Sequence, residues 1–399
     1  MSGPGGLADA DPRTRAVRPT GVLAELVAGT PPGRDRVVDA ARATSIAVVV
    51  LWHWALAVLH RAPDDDLRMP NPVHTVPGAA EATWVLQVMP VFFLVSGYAG
   101  AAAYDAARPS GRSARAFVAA QLGRVALPVA VWAVAWLVVE LALAARPGPH
   151  SFVWEWFPGY LTPLWFLGVY AVLVTLTPAM VAAHRRLGLV IVAGAAVAVA
   201  ASGALARLTG ERAVELAGAG LVWLAVWLLG VQWRAWRRAG AVLLPGALAT
   251  VGGLLGLVLL TGWLGYPRSM VATAGDATSN LHPTTPAVAV LALFQLGLVL
   301  LATPRLDRAL RRRRLWTAVL AVNGVAISLF VWHMTALLAV VLTVESLGMR
   351  LAAEPDATWW WQRPLWVLAP AAVLLPLLLL VAPAERVARR LGRGAPPPP

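Results

Sequence analysis

The sequence predicts an all-α membrane protein, a polytopic helix bundle of about ten transmembrane helices with both termini cytoplasmic. Three observations carry this. Of 399 residues, 59% are hydrophobic and only 13% charged, whereas a soluble chain is about half apolar and a quarter charged. The apolar residues gather in stretches of about 20, enough to cross ~30 Å of hydrocarbon at ~1.5 Å per residue. The arginines alternate in density from one connection to the next.

In chain order the apolar spans are 37–59, 81–104, 121–145, 162–183, 187–206, 214–232, 241–264, 285–303, 316–344 and 362–382. Several contain Gly or Pro, which neighbouring helices accommodate. Residues 1–36 carry Arg13, Arg15, Arg18, Arg34 and Arg36 without a continuous apolar run. They read as a disordered cytoplasmic segment rather than a cleavable signal. Residues 37–383 form one transmembrane domain, and 384–399, ending GRGAPPPP, a cytoplasmic tail. Asp64–Asp66 fall in the first external connection as a solvated turn.

The net charge is +13, and every basic residue is Arg. One alternating set of segments holds the N-terminus with Arg42, Arg108–Arg124, Arg185/Arg186, Arg234–Arg238, Arg305–Arg314 and the C-terminal arginines, 25 in all. The other set holds eight. The basic excess therefore marks the cytoplasmic side, and the Arg311–Arg314 run is an anchor rather than a nucleic-acid patch. No nucleic-acid partner is expected. With no cysteine there is no disulfide and no thiolate nucleophile. No Walker loop, GxSxG elbow or HExxH pattern occurs, and no metal is expected.

Polar groups at membrane depth are costly and are functional candidates by default. In the first span Arg42 and His53 lie eleven residues apart, three turns plus about 20°, on one face and ~16 Å apart along the axis. Arg suits oxyanions such as phosphate, and neutral imidazole suits general-base work. A second reading has Arg42 reaching to headgroups and His53 bonded to a neighbouring helix. His333 lies seventeen residues into the ninth span, His53 sixteen into the first. The two are expected at one depth, in a common cavity. In the second span, PVFFLVSG places Pro90 at a gap in the backbone ladder and Ser96–Gly97 at a close helix approach. Trp52 adjoins His53, and Trp165 opens the fourth span near the outer interface, where Trp is common as a belt residue. Glu140 and Glu345 fall near external ends, facing water.

Four stretches in order, DAARATSIAVVVLWHW, MPVFFLVSGY, PLWFLGVYAVLVTLTP and SLFVWHM, resemble the acyltransferase-3 family of integral membrane O-acyltransferases. The first carries the family's Arg-x10-His motif at Arg42 and His53, though Asp39-Ala40-Ala41-Arg42 stands where the family often has Asp-Gly-Leu-Arg. The second is similar to its Phe-Phe-x-x-Ser-Gly signature, the third to its Trp-Phe-Leu segment and the fourth to its late His helix.

The resemblance implies transfer of an acyl group, commonly acetyl from acetyl-CoA, to a hydroxyl of a glycan, glycolipid or secondary metabolite. It implies His53 as the essential base and Arg42 as a residue holding the CoA end. His333 joins His53 as the second catalytic candidate, and Trp52, Ser96 and Trp165 are the candidate substrate-binding residues. The expected partners are an acyl-CoA donor, a glycan, lipid-linked or small-molecule hydroxyl acceptor, and membrane lipids. The expected location is a bacterial plasma membrane, multi-pass. A transporter or flippase for a lipid-linked sugar is the rival of another class, and a non-catalytic scaffold a third.

Overall fold

The computed structural model describes the chain except residues 1–26, 28, 32, 62–66, 70, 74, 110, 146–158, 273–277, 350, 353–354 and 392–399. Side chains are described up to Pro383. The Asp64–Asp66 turn, most of the N-terminal segment and the GRGAPPPP tail lie outside the described residues.

The helices are α1 (Arg36–Leu56), α2 (Ala79–Leu86), α3 (Met89–Ala107), α4 (Ala114–Ala144), α5 (Trp165–Leu187), α6 (Leu189–Thr209), α7 (Arg212–Arg238), α8 (Leu243–Gly262), α9 (Pro286–Ala309), α10 (Arg313–Gly324), α11 (Ala326–Ser346) and α12 (Ala357–Leu391). A two-stranded antiparallel ribbon, β1 (His60–Arg61) and β2 (Leu67–Arg68), follows α1. Ten helical segments among the described residues are long and apolar enough to cross a membrane, with α2 and α3 together forming one.

That second span is broken at Gln87 and Val88, immediately before Pro90 in the first turn of α3. Pro90 lacks the N–H that would continue the ladder. Gln295 of α9 repairs the break, donating from Nε2 to the carbonyls of Trp84 (3.0 Å) and Gln87 (2.8 Å). A helix end buried in a bundle needs such a partner.

The ninth span differs from the sequence expectation. It does not run from 316. Arg313–Gly324 forms the separate helix α10, the chain breaks at Val325, and the spanning helix α11 starts at Ala326. α10 opens on Arg313 and Arg314, and it buries Trp316 and Leu320. α10 packs beside the start of α1. Trp316 donates to Thr30 (3.0 Å), Arg36 lies over its ring at 4.9 Å, and Asn323 donates to the Asp39 carbonyl (2.8 Å).

The two ends of the bundle are held differently. At one end Arg36 donates to the Leu310 carbonyl (2.8 Å), and Arg237 binds both Asp35 (2.8 Å) and Asp307 (3.0 Å). Asp105 of α3 gathers Arg185, Arg234 and Arg238 from α5 and α7. These multi-centre pairs make an arginine-rich face. On the opposite face, Glu345 accepts the Arg61 amide (2.9 Å), so it is engaged rather than simply facing water. There too Tyr160 donates to Leu59 (3.1 Å) and Arg363 to Ala55 (2.9 Å).

The core joins α1, α3, α5, α7, α9 and α11. α3 and α7 touch at their backbones. A Cβ on Gly97 would stand 2.2 Å from the Trp227 carbonyl oxygen, and one on Gly230 2.1 Å from that of Leu94. Both positions require glycine for this approach. α4 buries few of its residues and is a peripheral helix.

Candidate active site

Asp35 caps α1 by accepting from the amides of Val37 (3.1 Å) and Val38 (3.3 Å). The helix then runs without a break past Arg42, Ile46, Val49 and His53. Steps of four, three and four residues keep these side chains on one stripe.

Arg42 and Ile46 line a cavity of about 440 Å³. Ser96 and Phe92 of α3, Gln121 and Arg124 of α4, Phe166 and Tyr170 of α5, Trp227 of α7 and Asn323 of α10 also line it. Arg42 is oriented by Asp39 one turn earlier, at 3.2 Å. Asp39 also takes Nε of Arg34 at 2.5 Å. One carboxylate thus serves two guanidiniums, and Arg124 adds a third cation whose nearest described partner is the amide oxygen of Gln121 at 3.4 Å. The balance at this end of the cavity is positive. Two polar atoms on lining residues, the Trp227 Nε1 donor and the Asn323 Oδ1 acceptor, are buried without a partner among the described residues. Buried polar atoms are ordinarily hydrogen-bonded, and an unpartnered one needs an explanation.

Further along the stripe, His53 meets His333. His333 Nε2 lies 3.0 Å from His53 Nδ1, and the rings are 5.1 Å apart between centroids. His333 is fully buried, with Nδ1 on the Phe330 carbonyl. A carbonyl only accepts, so Nδ1 of His333 carries the proton. Its Nε2 is then the acceptor, and His53 Nδ1–H the donor. The network therefore assigns the lone pair of neutral His53 to Nε2. Trp54 fixes the register, donating from Nε1 to the His333 carbonyl (3.0 Å).

The meeting of the two rings agrees with the depth expected from sequence, although His333 is the eighth residue of α11 rather than the eighteenth of a longer span. α10 lies along the first turns of α1, and that offset restores the depth. Neither imidazole is among the residues lining the Arg42 cavity. Phe92, Phe166 and Phe330 stand between, packed edge to face at 5.4 Å and 4.3 Å, with Phe330 5.3 Å from His333. The large apolar rings fill the space that two imidazoles alone would leave open.

Ser96 and Gly97 divide their duties. Gly97 makes the helix contact and Ser96 faces the cavity. Trp165 lies away from Arg42, its ring tilted against Trp223 at 5.4 Å and 6.0 Å from His282, with Trp223 donating to Thr284 (3.0 Å). Burial holds the His282 imidazole below its ordinary pKa, so it is neutral near pH 7. Trp52 is half-buried and not among the residues lining the cavity. Among the described residues no three His, Asp or Glu side chains converge as metal ligands.

Arg124, Tyr170 and Asn323 belong to this site and were not singled out by sequence reasoning. Asp39 was noticed only as part of a motif. Its i,i+3 spacing to Arg42 was the available signal.

No curated protein and no solved structure matches the chain. The family model Acyl_transf_3, described as an acyltransferase domain, matches residues 35–385, which takes in all ten spans together with Arg42, His53 and His333. Ten apolar helices, a cationic cavity and a paired imidazole on one helix stripe thus occur within a single matched region, and the chain is an integral multi-pass membrane protein belonging to the acyltransferase-3 family.

Proposed function

We propose that the chain transfers an acyl group, acetyl in the first instance, from acyl-CoA to a hydroxyl of a glycan, glycolipid or small metabolite. The observation that carries this is the α1 stripe, with Arg42 in a cationic cavity and His53 three turns further on, held by His333.

Arg42 and Arg124 suit the phosphates of the donor, because guanidinium binds oxyanions bidentately and stays charged. Trp227 Nε1 and Asn323 Oδ1 offer a donor and an acceptor to the amides of the pantetheine arm. Ser96 lies on the same wall. His53 Nε2 takes the proton of the acceptor hydroxyl, whose oxygen attacks the thioester carbonyl. The departing CoA thiolate takes that proton back from the imidazolium. Alternatively the same lone pair accepts the acyl group and passes it on. His333 acts by positioning and by sharing the charge that develops on His53. Trp165, at the opposite face beside Trp223 and His282, is placed for the acceptor, and Trp52 flanks the base.

The arginine-rich face is the cytoplasmic one by the positive-inside rule, so both ends of the chain are cytoplasmic and the donor enters from that side. A bacterial plasma membrane suits this topology. The test is labelled acetyl-CoA supplied to vesicles carrying the wild type or His53→Ala, with membrane glycans and lipids as acceptors. The expected result is label transfer and CoA release by the wild type, lost in the variant at equal protein level. Equal turnover in both returns His53 to a packing role. Substrate movement without CoA release would mark a transporter.

A further inference from the structure

The Arg42 cavity and the imidazole pair are separated by three phenylalanine rings, and the space on the two sides of that septum is very unequal. On the arginine side it is about 440 Å³. On the other side Phe92, Phe166 and Phe330 close a void of about 10 Å³ with Ser45, Ile46 and Val49. Such a void holds roughly one water. Ile46 lines both spaces, Val49 only the small one, and His53 is the next residue on the stripe. The small void therefore lies beside the α1 stripe at Ile46 and Val49, one step short of His53.

We propose that this septum, with Phe330 as its central residue, sets the length of the donor's acyl group, admitting acetyl and rejecting longer chains. The inference rests on the donor reading given above. A donor with its phosphates at Arg42 and Arg124 brings its thioester to the septum from the roomy side. What lies beyond the sulfur must fit between the phenylalanine rings and the imidazoles. A two-carbon group needs a small displacement there. Each further methylene has to push aside rings packed edge to face, of which Phe166 is 5% and Phe330 6% exposed. In an apolar pocket of fixed shape, discrimination of roughly tenfold or more per methylene is usual.

Phe330 is central for a second reason. It also lines a third void of about 10 Å³, with Trp132, Trp136 and Thr335. Phe330 lines the cavity and both small voids, so removing its ring is expected to open the cavity towards both. The Phe330 carbonyl, which holds His333, is main chain and survives the substitution.

The experiment measures binding, so it needs no acceptor. Purified full-length chain in nanodiscs is titrated with CoA and with its S-ethyl, S-butyl and S-hexyl thioethers, which cannot transfer. The wild type is expected to bind CoA and S-ethyl-CoA alike and S-hexyl-CoA at least tenfold more weakly. Phe330→Ala is expected to remove most of that difference. Phe330→Leu, which keeps the site apolar and partly filled, is expected to lie between and carries the test should the alanine variant not fold. Equal wild-type affinity for S-ethyl-CoA and S-hexyl-CoA overturns the inference. So does a length penalty that persists unchanged in both variants. Failure of the wild type to bind CoA itself overturns the donor reading and this inference with it, whereas CoA binding without length dependence overturns this inference alone.

Discussion

His53 donates from Nδ1 to Nε2 of His333 at 3.0 Å, across two helices whose residues are 280 positions apart. His333→Ala removes the acceptor and frees the His53 ring to rotate. It is expected to lower kcat about 10- to 100-fold with little change in the KM for acyl-CoA. His333→Gln, whose amide oxygen can accept the same hydrogen, should recover part of that loss. His53→Ala removes the base itself and should cost about 10²- to 10⁴-fold. Steady-state kinetics on matched protein levels separate the three.

Arg42→Lys keeps the charge and loses the planar fork. The KM for acyl-CoA should rise about tenfold while kcat changes less, since a hydrogen bond to a charged group contributes about 1.5–3 kcal/mol. An unchanged KM and kcat would contradict the assigned role. Arg124→Lys is expected to act in the same direction, and a double-mutant cycle would show whether the two contact one group.

Asp39→Asn leaves Arg42 and Arg34 without the carboxylate they share. The expected effect is a raised KM for acyl-CoA through a misplaced Arg42, with the bundle still folded. The comparison that checks it is KM against detergent-solubilised thermal stability, where Arg42→Lys and Asp39→Asn should move KM together.

Gly97→Ala places a methyl 2.2 Å from a main-chain oxygen of α7. No rotamer relieves that contact, so the helices must separate. Overpacking of this kind costs about 1–3 kcal/mol. A lower melting temperature or loss of monodisperse protein is expected, and Gly230→Ala should behave alike from the other side of the same contact.

Much of the architecture was legible in the sequence because membrane spans are written as long apolar runs. The Arg42–His53 face was legible because eleven residues close on a whole number of turns. The break at Val325 has a local signal in Asn323–Gly324, which a single apolar run over 316–344 passes over. Arg124, Tyr170 and Asn323 reach the cavity from three distant segments, and no spacing connects them. The phenylalanine septum was hidden for the same reason. Phe92, Phe166 and Phe330 are unremarkable apolar residues until the helices bring their rings together.

The Phe330 carbonyl that holds His333 gives the histidine pair an orienting group that does not titrate. A carboxylate in that place would lose its grip as it took up a proton, and the site would answer to two ionisations. A peptide oxygen accepts equally well in acid and in alkali. The tautomer of His333 is thereby set by the main chain of its own helix, and the chain of donors runs one way, from His53 inward to a point that cannot give a proton back. Any response of this pair to pH belongs to the rings alone.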